Sequence, residues 1–145
     1  MKIEKKLANP KYFDGKRPKE DIKYIVIQNI DNIAIPHYHL SDGKVIQVIP
    51  DDKMTDAVSG PKLSRFGVLH GICTKYNCIS VGVPWNMSEE DKQTCINLIM
   101  TIKQRYKIDN DNVIRQMDVT GVENPMIWKD KEKWISDIKN KLIDI

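Results

Sequence analysis

Several features are rare or missing in this sequence, and each of these gaps excludes a class of protein. No apolar run approaches the roughly 20 residues of a membrane-spanning helix, so we expect no membrane segment. No apolar stretch follows the basic start at Met1 to Lys6, so we expect no signal peptide and a cytoplasmic location. The 3 cysteines are too few, and odd in number, to predict a disulfide framework. The net charge of +3 is too small to predict a nucleic-acid-binding protein.

The motifs of the common enzyme chemistries are also missing. There is no G-x-S-x-G elbow, no P-loop and no dinucleotide fingerprint, so acyl-serine, phosphoryl-transfer and hydride chemistries have no support. His37 and His39 are spaced to share one face of a strand, which is compatible with binding a metal. No third ligand is evident nearby, so ordinary packing or surface histidines are the favoured interpretation.

A second group of metal-ligand residue types is equally weak. His70, Cys73 and Cys78 have the spacing of no usual zinc site, so we interpret them as part of a polar loop with two free thiols. Carboxylates are plentiful, but those at Asp51 and Asp52 follow a predicted strand at a turn. We therefore predict that they are solvated and do not form a catalytic pair.

Strand and helix patterns alternate along the chain. Residues 1–21 carry charges, glycine and proline and predict an extended arm that packs on a single domain of residues 1–145. The first helix is predicted to start at Ser88, which can cap it, and a last helix from about Lys129. The predicted strands are Tyr24–Ile27, Val45–Ile49, Ile79–Val83 and Asn112–Arg115. These elements predict an α/β or α+β fold with a central mixed sheet flanked by helices.

Four segments together resemble a known family. They are IKYIVIQNIDN at 22–32, HYHLSDGKVIQVIPDD at 37–52, NCISVGVP at 77–84 and VIRQMDVTGVENP at 113–125. In this order and spacing they resemble the type 2 N-acetylmuramoyl-L-alanine amidases, the zinc fold shared with peptidoglycan recognition proteins and phage lytic amidases. The resemblance covers roughly residues 8–142 and implies that fold, in a bacterial or phage protein.

The resemblance also places the family's zinc ligands, which are two histidines and a cysteine or aspartate. The matching positions hold Gln28, Gln116 and Asn124, and amide oxygens are neutral, weak ligands for zinc. The family's catalytic glutamate matches Pro84, and its oxyanion-stabilising lysine or threonine matches Val122. We therefore expect no zinc, no other cofactor and no catalytic residues.

The resemblance implies a cleft for a muropeptide or peptidoglycan, lined by Gln28, Asn29, Gln116, Asn124 and His37. The leading hypothesis is an amidase-like pseudoenzyme of the cell wall that binds such a ligand, reaching the wall by a separate route. The second is a protein-interaction or regulatory module that reuses the fold. The third is an active cell-wall hydrolase with a relocated site that uses His37, His39, His70 or Cys73.

Overall fold

A computed structural model describes residues 1–13, 15–30, 34–56, 58 and 67–142. One mixed sheet of six strands organises these residues, in the order β1-β4-β3-β5-β2-β6. The strands are β1 (Ile3–Lys5), β2 (Tyr24–Asn29), β3 (Tyr38–Ser41), β4 (Lys44–Gln47), β5 (Cys78–Val83) and β6 (Val113–Arg115). The α-helices are α1 (Glu89–Tyr106), α2 (Met117–Thr120) and α3 (Lys131–Asp137). Within the described ranges, no helix combines the length and apolar character that crossing a bilayer requires.

The centre of the sheet is the parallel pair β2 and β5. They align from Tyr24 with Cys78 to Asn29 with Val83, and β6 continues the parallel arrangement on the other side of β2. Nearly every residue of both strands is buried. Continuous β-branched runs suit strands covered on both faces, and the predicted mixed sheet is confirmed.

The sheet is completed by a hairpin and by the start of the chain. Strands β3 and β4 are antiparallel around Asp42 and Gly43, whose φ angles of 53° and 70° lie in the left-handed region that such tight turns use. The first residues were predicted as an extended arm over the surface. They are extended, but Ile3–Lys5 pairs in parallel with β4 and forms the edge strand β1.

Helix α1 starts where its sequence predicts. The Ser88 hydroxyl accepts a hydrogen bond from the Asp91 backbone N–H, and the Asp91 carboxylate accepts one from the Ser88 N–H. Asp91 also accepts a bond of 2.7 Å from the N–H of Gly43. The start of α1 is therefore fastened to the hairpin turn, with its apolar stripe against the sheet.

The main core lies between one face of the sheet, helix α1 and the C-terminal residues. Trp128 and Trp134 meet there with ring centroids 5.5 Å apart. The last helix begins at Lys131 after an N-cap at Asp130 and ends at Asp137. It is shorter than the predicted helix from about Lys129, and a 3₁₀ turn at Lys139–Lys141 continues it.

A smaller core covers the opposite face of the sheet. Its buried side chains come from β2, β5 and β6 and from the segments beside them: Val26, Val58, Cys73, Cys78, Ile114 and Val119. Both faces of the sheet centre are therefore covered, and the ends of the strands are where a site can open.

Candidate functional site

The carboxyl ends of β2 and β6 bring the three predicted zinc-ligand positions together. The Gln116 backbone N–H donates to the carbonyl of Ile27 at 2.9 Å. The Oδ1 of Asn124 accepts from the backbone N–H of Asn29 at 2.7 Å. Gln28 lies between those two bonded residues of β2, so all three positions meet at one edge of the sheet.

The side chain of Gln28 is sealed beneath the chain that follows it. Gln28 is 0% exposed, and its Nε2 donates to the carbonyl of Ala34 at 2.8 Å. Its Oε1 is buried and has no hydrogen-bond partner among the described residues. The neighbouring strand supplies Gly82, where a Cβ atom would lie 2.7 Å from Pro36. The missing side chain lets the segment that holds Ala34 and Pro36 lie directly on the sheet and close over Gln28.

Asn29 and Asn124 fasten the next turn of the chain to β2. Asn29 is 4% exposed; its Nδ2 donates to the carbonyl of Val83 at 3.4 Å, and its Oδ1 accepts from the Met126 N–H at 3.0 Å. Together with the bond from the Asn29 N–H to Asn124, these contacts hold both ends of the Asn124-to-Met126 turn. The two asparagines therefore stabilise the fold at the place where the resemblance puts a ligand.

The side chains of Gln28, Gln116 and Asn124 are poorly suited to binding zinc. The oxygen of Gln28 is sealed, and the oxygen of Asn124 is already bonded to an N–H. Gln116 is 9% exposed and its side chain is another neutral amide. In the part of the chain that the structure describes, no group of three or more His, Cys, Asp or Glu residues is placed to hold a metal ion. Zinc in proteins is bound by imidazole, thiolate and carboxylate groups, which these positions lack.

His37, which was predicted to line the same cleft, is buried away from that edge. It is 1% exposed, and its Nδ1 accepts from the backbone N–H of Ser80 at 3.1 Å. Its Nε2 lies 2.8 Å from the carbonyl oxygen of Lys53 and 3.1 Å from the Arg17 guanidinium. Burial, and then the charge of Arg17, lower the pKa of His37 to about 4. His37 is therefore a neutral imidazole that joins the arm to the sheet.

Arg17 is an important residue that the sequence does not single out. It is 3% exposed, and its guanidinium donates to the backbone carbonyls of Asp51, Lys75, Tyr76 and Cys78. Burial lowers the pKa of Arg17, since carbonyl dipoles only partly replace water. In the sequence it looks like any surface cation of the arm, so no local signal could have found it.

The side chains considered for a relocated hydrolase site do not assemble into one. Cys73 is 1% exposed, and a hydrogen bond with Cys78, together with burial, raises the pKa of its thiol. His70 is exposed. His39 lies on β3 with a buried Nε2 that has no partner among the described residues, and burial lowers its pKa. A buried thiol that keeps its proton is a poor nucleophile, because the thiolate is the reactive form.

The two positions matched to the family's catalytic helpers lie at the rim of the same edge. Pro84 directly follows β5, and Val122 is 41% exposed in the turn after α2. Neither side chain can transfer a proton or carry a positive charge. Trp85, next to Pro84, is 62% exposed, and no motif of the sequence points to it.

Solved structures supply the comparison that decides the fold. No protein-family model and no curated protein sequence matches the chain. The PlyG catalytic domain matches with a TM-score of 0.74 and 18% identity, over 94% of this chain and 91% of that one. A mutant endolysin from Bacillus subtilis matches with a TM-score of 0.74 and 19% identity, over 98% and 99% of the two chains. The N-acetylmuramoyl-L-alanine amidase LysC from Clostridium intestinale matches with a TM-score of 0.57 and 16% identity, over 86% and 89%. This chain has the type 2 amidase fold.

The resemblance drawn from the four sequence segments is therefore confirmed at the level of the fold. Within the type 2 amidase fold, the carboxyl ends of β2 and β6 are where Gln28, Gln116 and Asn124 meet. The fold supplies the position of a site, and the side chains at that position decide its chemistry.

Proposed function

We propose that this chain is a non-catalytic protein on the type 2 amidase fold that binds a muropeptide or peptidoglycan strand. The ligand would lie at the edge formed by the carboxyl ends of β2, β5 and β6. The observation that carries the proposal is the presence of amides at Gln28, Gln116 and Asn124. The Gln28 side chain is fully buried, and the Asn124 side chain is hydrogen-bonded to the backbone of β2.

The absence of hydrolysis follows from the chemistry of that edge. A zinc ion acts in hydrolysis by acidifying a bound water and polarising the carbonyl that is attacked. The three amides supply no anionic or imidazole ligand to hold such an ion. Pro84 and Val122 offer neither a general base nor a cation for an oxyanion. Amide hydrolysis would therefore lack its nucleophile and the groups that assist attack.

Binding is supported by the side chains at the rim of this edge. Trp85 and Val122 are exposed, and large exposed apolar side chains are a feature of binding surfaces. Asn124 is only partly buried and can still offer its amide N–H groups to a peptide carbonyl. Because Gln28 is sealed, the ligand would contact this rim and would not reach the depth of the former metal position.

Zinc content and amidase activity test the non-catalytic part. Purified wild-type protein, dialysed against zinc, is expected to retain far less than one equivalent and to release no peptide from N-acetylmuramoyl-L-alanine substrates. The matched variant carries Gln28→His, Gln116→His and Asn124→Cys, and it is expected to bind about one zinc because the three positions converge. Near-stoichiometric zinc in the wild type, or peptide release by it, would refute the proposal.

A titration tests the binding part. A soluble N-acetylmuramoyl-L-alanine peptide is added to the wild type, to Trp85→Ala and to Tyr12→Ala, and binding is followed by calorimetry. Tyr12 is also an exposed aromatic residue but lies in the N-terminal arm, so its variant is the matched control. We expect binding that Trp85→Ala weakens about tenfold and Tyr12→Ala leaves unchanged.

A second candidate function has an observation of its own. Val68, Ile72 and Tyr76 are 88%, 55% and 43% exposed within one short segment that precedes β5. Several exposed apolar side chains in one segment suit a protein-interaction or regulatory module. No muropeptide binding at about millimolar concentration would favour this second function over the first.

A further inference from the structure

A large cavity lies at the end of the sheet opposite the candidate site. It encloses about 560 Å³, within the range of small-molecule sites. Ile22, just before β2, and Tyr38, at the start of β3, form part of its wall. Arg105 and Tyr106, at the end of α1, close another side. The amino ends of β2 and β3 therefore open into this cavity, whereas Gln28 lies at the carboxyl end of β2.

The N-terminal strand gives the cavity one wall through its alternating side chains. Ile3, Lys5 and Leu7 all line the cavity, as expected for residues on one face of an extended segment. Leu7 is 56% exposed although it is apolar. Leu7 therefore offers apolar surface on the same face of the segment as the Lys5 ammonium group.

Positive charge exceeds negative charge around the cavity. Four cations line it, namely Lys5, Arg17, Lys19 and Arg105, against two carboxylates, Asp51 and Asp52. Arg105 is paired with Asp51 at 2.9 Å. Lys5 and Lys19 are exposed and form no ion pair within the described ranges. Two lysines that line the cavity are therefore available to an anionic ligand.

Asp51 does not compete for these two lysines, because its oxygens are already occupied. Oδ1 accepts from the Tyr38 hydroxyl at 2.6 Å and from the Gln47 amide at 3.1 Å. Oδ2 accepts from Arg105 at 2.9 Å and from the Tyr106 hydroxyl. Burial and the Asp51 charge raise the pKa of both tyrosines, which therefore stay neutral. The prediction that Asp51 is a solvated turn residue is wrong, since its side chain is 14% exposed and forms the cavity floor.

We propose that this cavity binds a small organic phosphate. Its phosphate would be held by Lys5 and Lys19, and its organic part would lie against Leu7. Lysine ammonium groups bind phosphate as point charges, and the volume exceeds what inorganic phosphate alone would fill. The site is separate from the carboxyl edge of the sheet, so it does not depend on the function proposed above.

A nuclear magnetic resonance titration of the whole chain tests this site. Phenyl phosphate is the probe, because it joins a phosphate to an apolar ring, and benzyl alcohol is the uncharged comparator. We expect saturable shifts of backbone amides at residues 3–7, 17–22 and 105–107 below about 10 mM phenyl phosphate. Added salt should weaken the binding, because the two lysines are exposed charges.

Two double variants separate a site from general charge attraction. Lys5→Gln with Lys19→Gln is expected to weaken binding about tenfold. Lys131→Gln with Lys141→Gln removes the same charge from exposed positions elsewhere and should leave the affinity unchanged. Equal weakening by both variants would overturn the proposal. So would equal binding of benzyl alcohol, or no saturable shift at about 10 mM phenyl phosphate.

Discussion

Replacing Asn124 with alanine removes the oxygen that accepts the backbone N–H of Asn29 at 2.7 Å. Asn29 is 4% exposed, so water cannot easily take the place of that oxygen. A buried N–H left without a partner costs about 1–3 kcal/mol. Unfolding entropy near 2.1 cal/mol/K per residue gives roughly 0.3 kcal/mol/K for 145 residues. Asn124→Ala should therefore lower Tm by roughly 3–10 °C.

Differential scanning calorimetry on the wild type and three variants measures this effect. Asn140→Ala is the matched control, because Asn140 is exposed, and its Tm should stay near that of the wild type. Asn124→Asp keeps an oxygen in the same place and should recover most of the loss. If Asn124→Ala melted within about 1 °C of the wild type, Asn124 would not hold β2 as described.

Three further predictions follow from the buried groups. His37 is neutral in the folded protein, with a pKa of about 4 against 6.5, so unfolding free energy should fall as pH drops from 6.5 to 4. The contribution of His37 to this fall is on the order of 3 kcal/mol, so in urea denaturation the fall should be smaller by about that amount for His37→Gln, and an equal fall in both proteins would contradict it. Arg17→Met should lower the free energy of unfolding by at least about 3 kcal/mol in the same assay, because it leaves buried carbonyl groups without a donor. A decrease below about 1 kcal/mol would contradict this account. The thiols of Cys73, Cys78 and Cys95 should react with a disulfide reagent only after denaturation, since all are buried, and rapid native reaction would disprove it.

The elements that were predictable from the sequence are those with local causes. Ser88 caps α1 because a hydroxyl there can accept an N–H from the first turn of the helix. The run from Tyr24 forms a buried strand because its β-branched residues suit a sheet covered on both faces. The meeting of Gln28, Gln116 and Asn124 was implied by the resemblance, since the order and spacing of the segments carry over to the fold.

What could not be predicted depends on contacts between distant segments. Arg17 sits in a polar arm between glycine and proline, and nothing near it in the sequence indicates its burial. The closure over Gln28 depends on Ala34 and on the space above Gly82, which spacing along one strand cannot reveal. The charged cavity likewise joins the first residues to the end of α1. Such features follow from tertiary packing, which overrides the local pattern.

The insertion of Arg17 also bears on the order of events in folding. Its guanidinium bonds close chain separations of 34, 58, 59 and 61 residues. Closing such separations costs entropy before any bond forms, so the arm should dock only after the hairpin and β5 have assembled. Contacts made after the rate-limiting step slow unfolding and leave the folding rate unchanged. The contacts of Arg17 would then form late in folding and would set the unfolding rate, and so the lifetime of the folded chain.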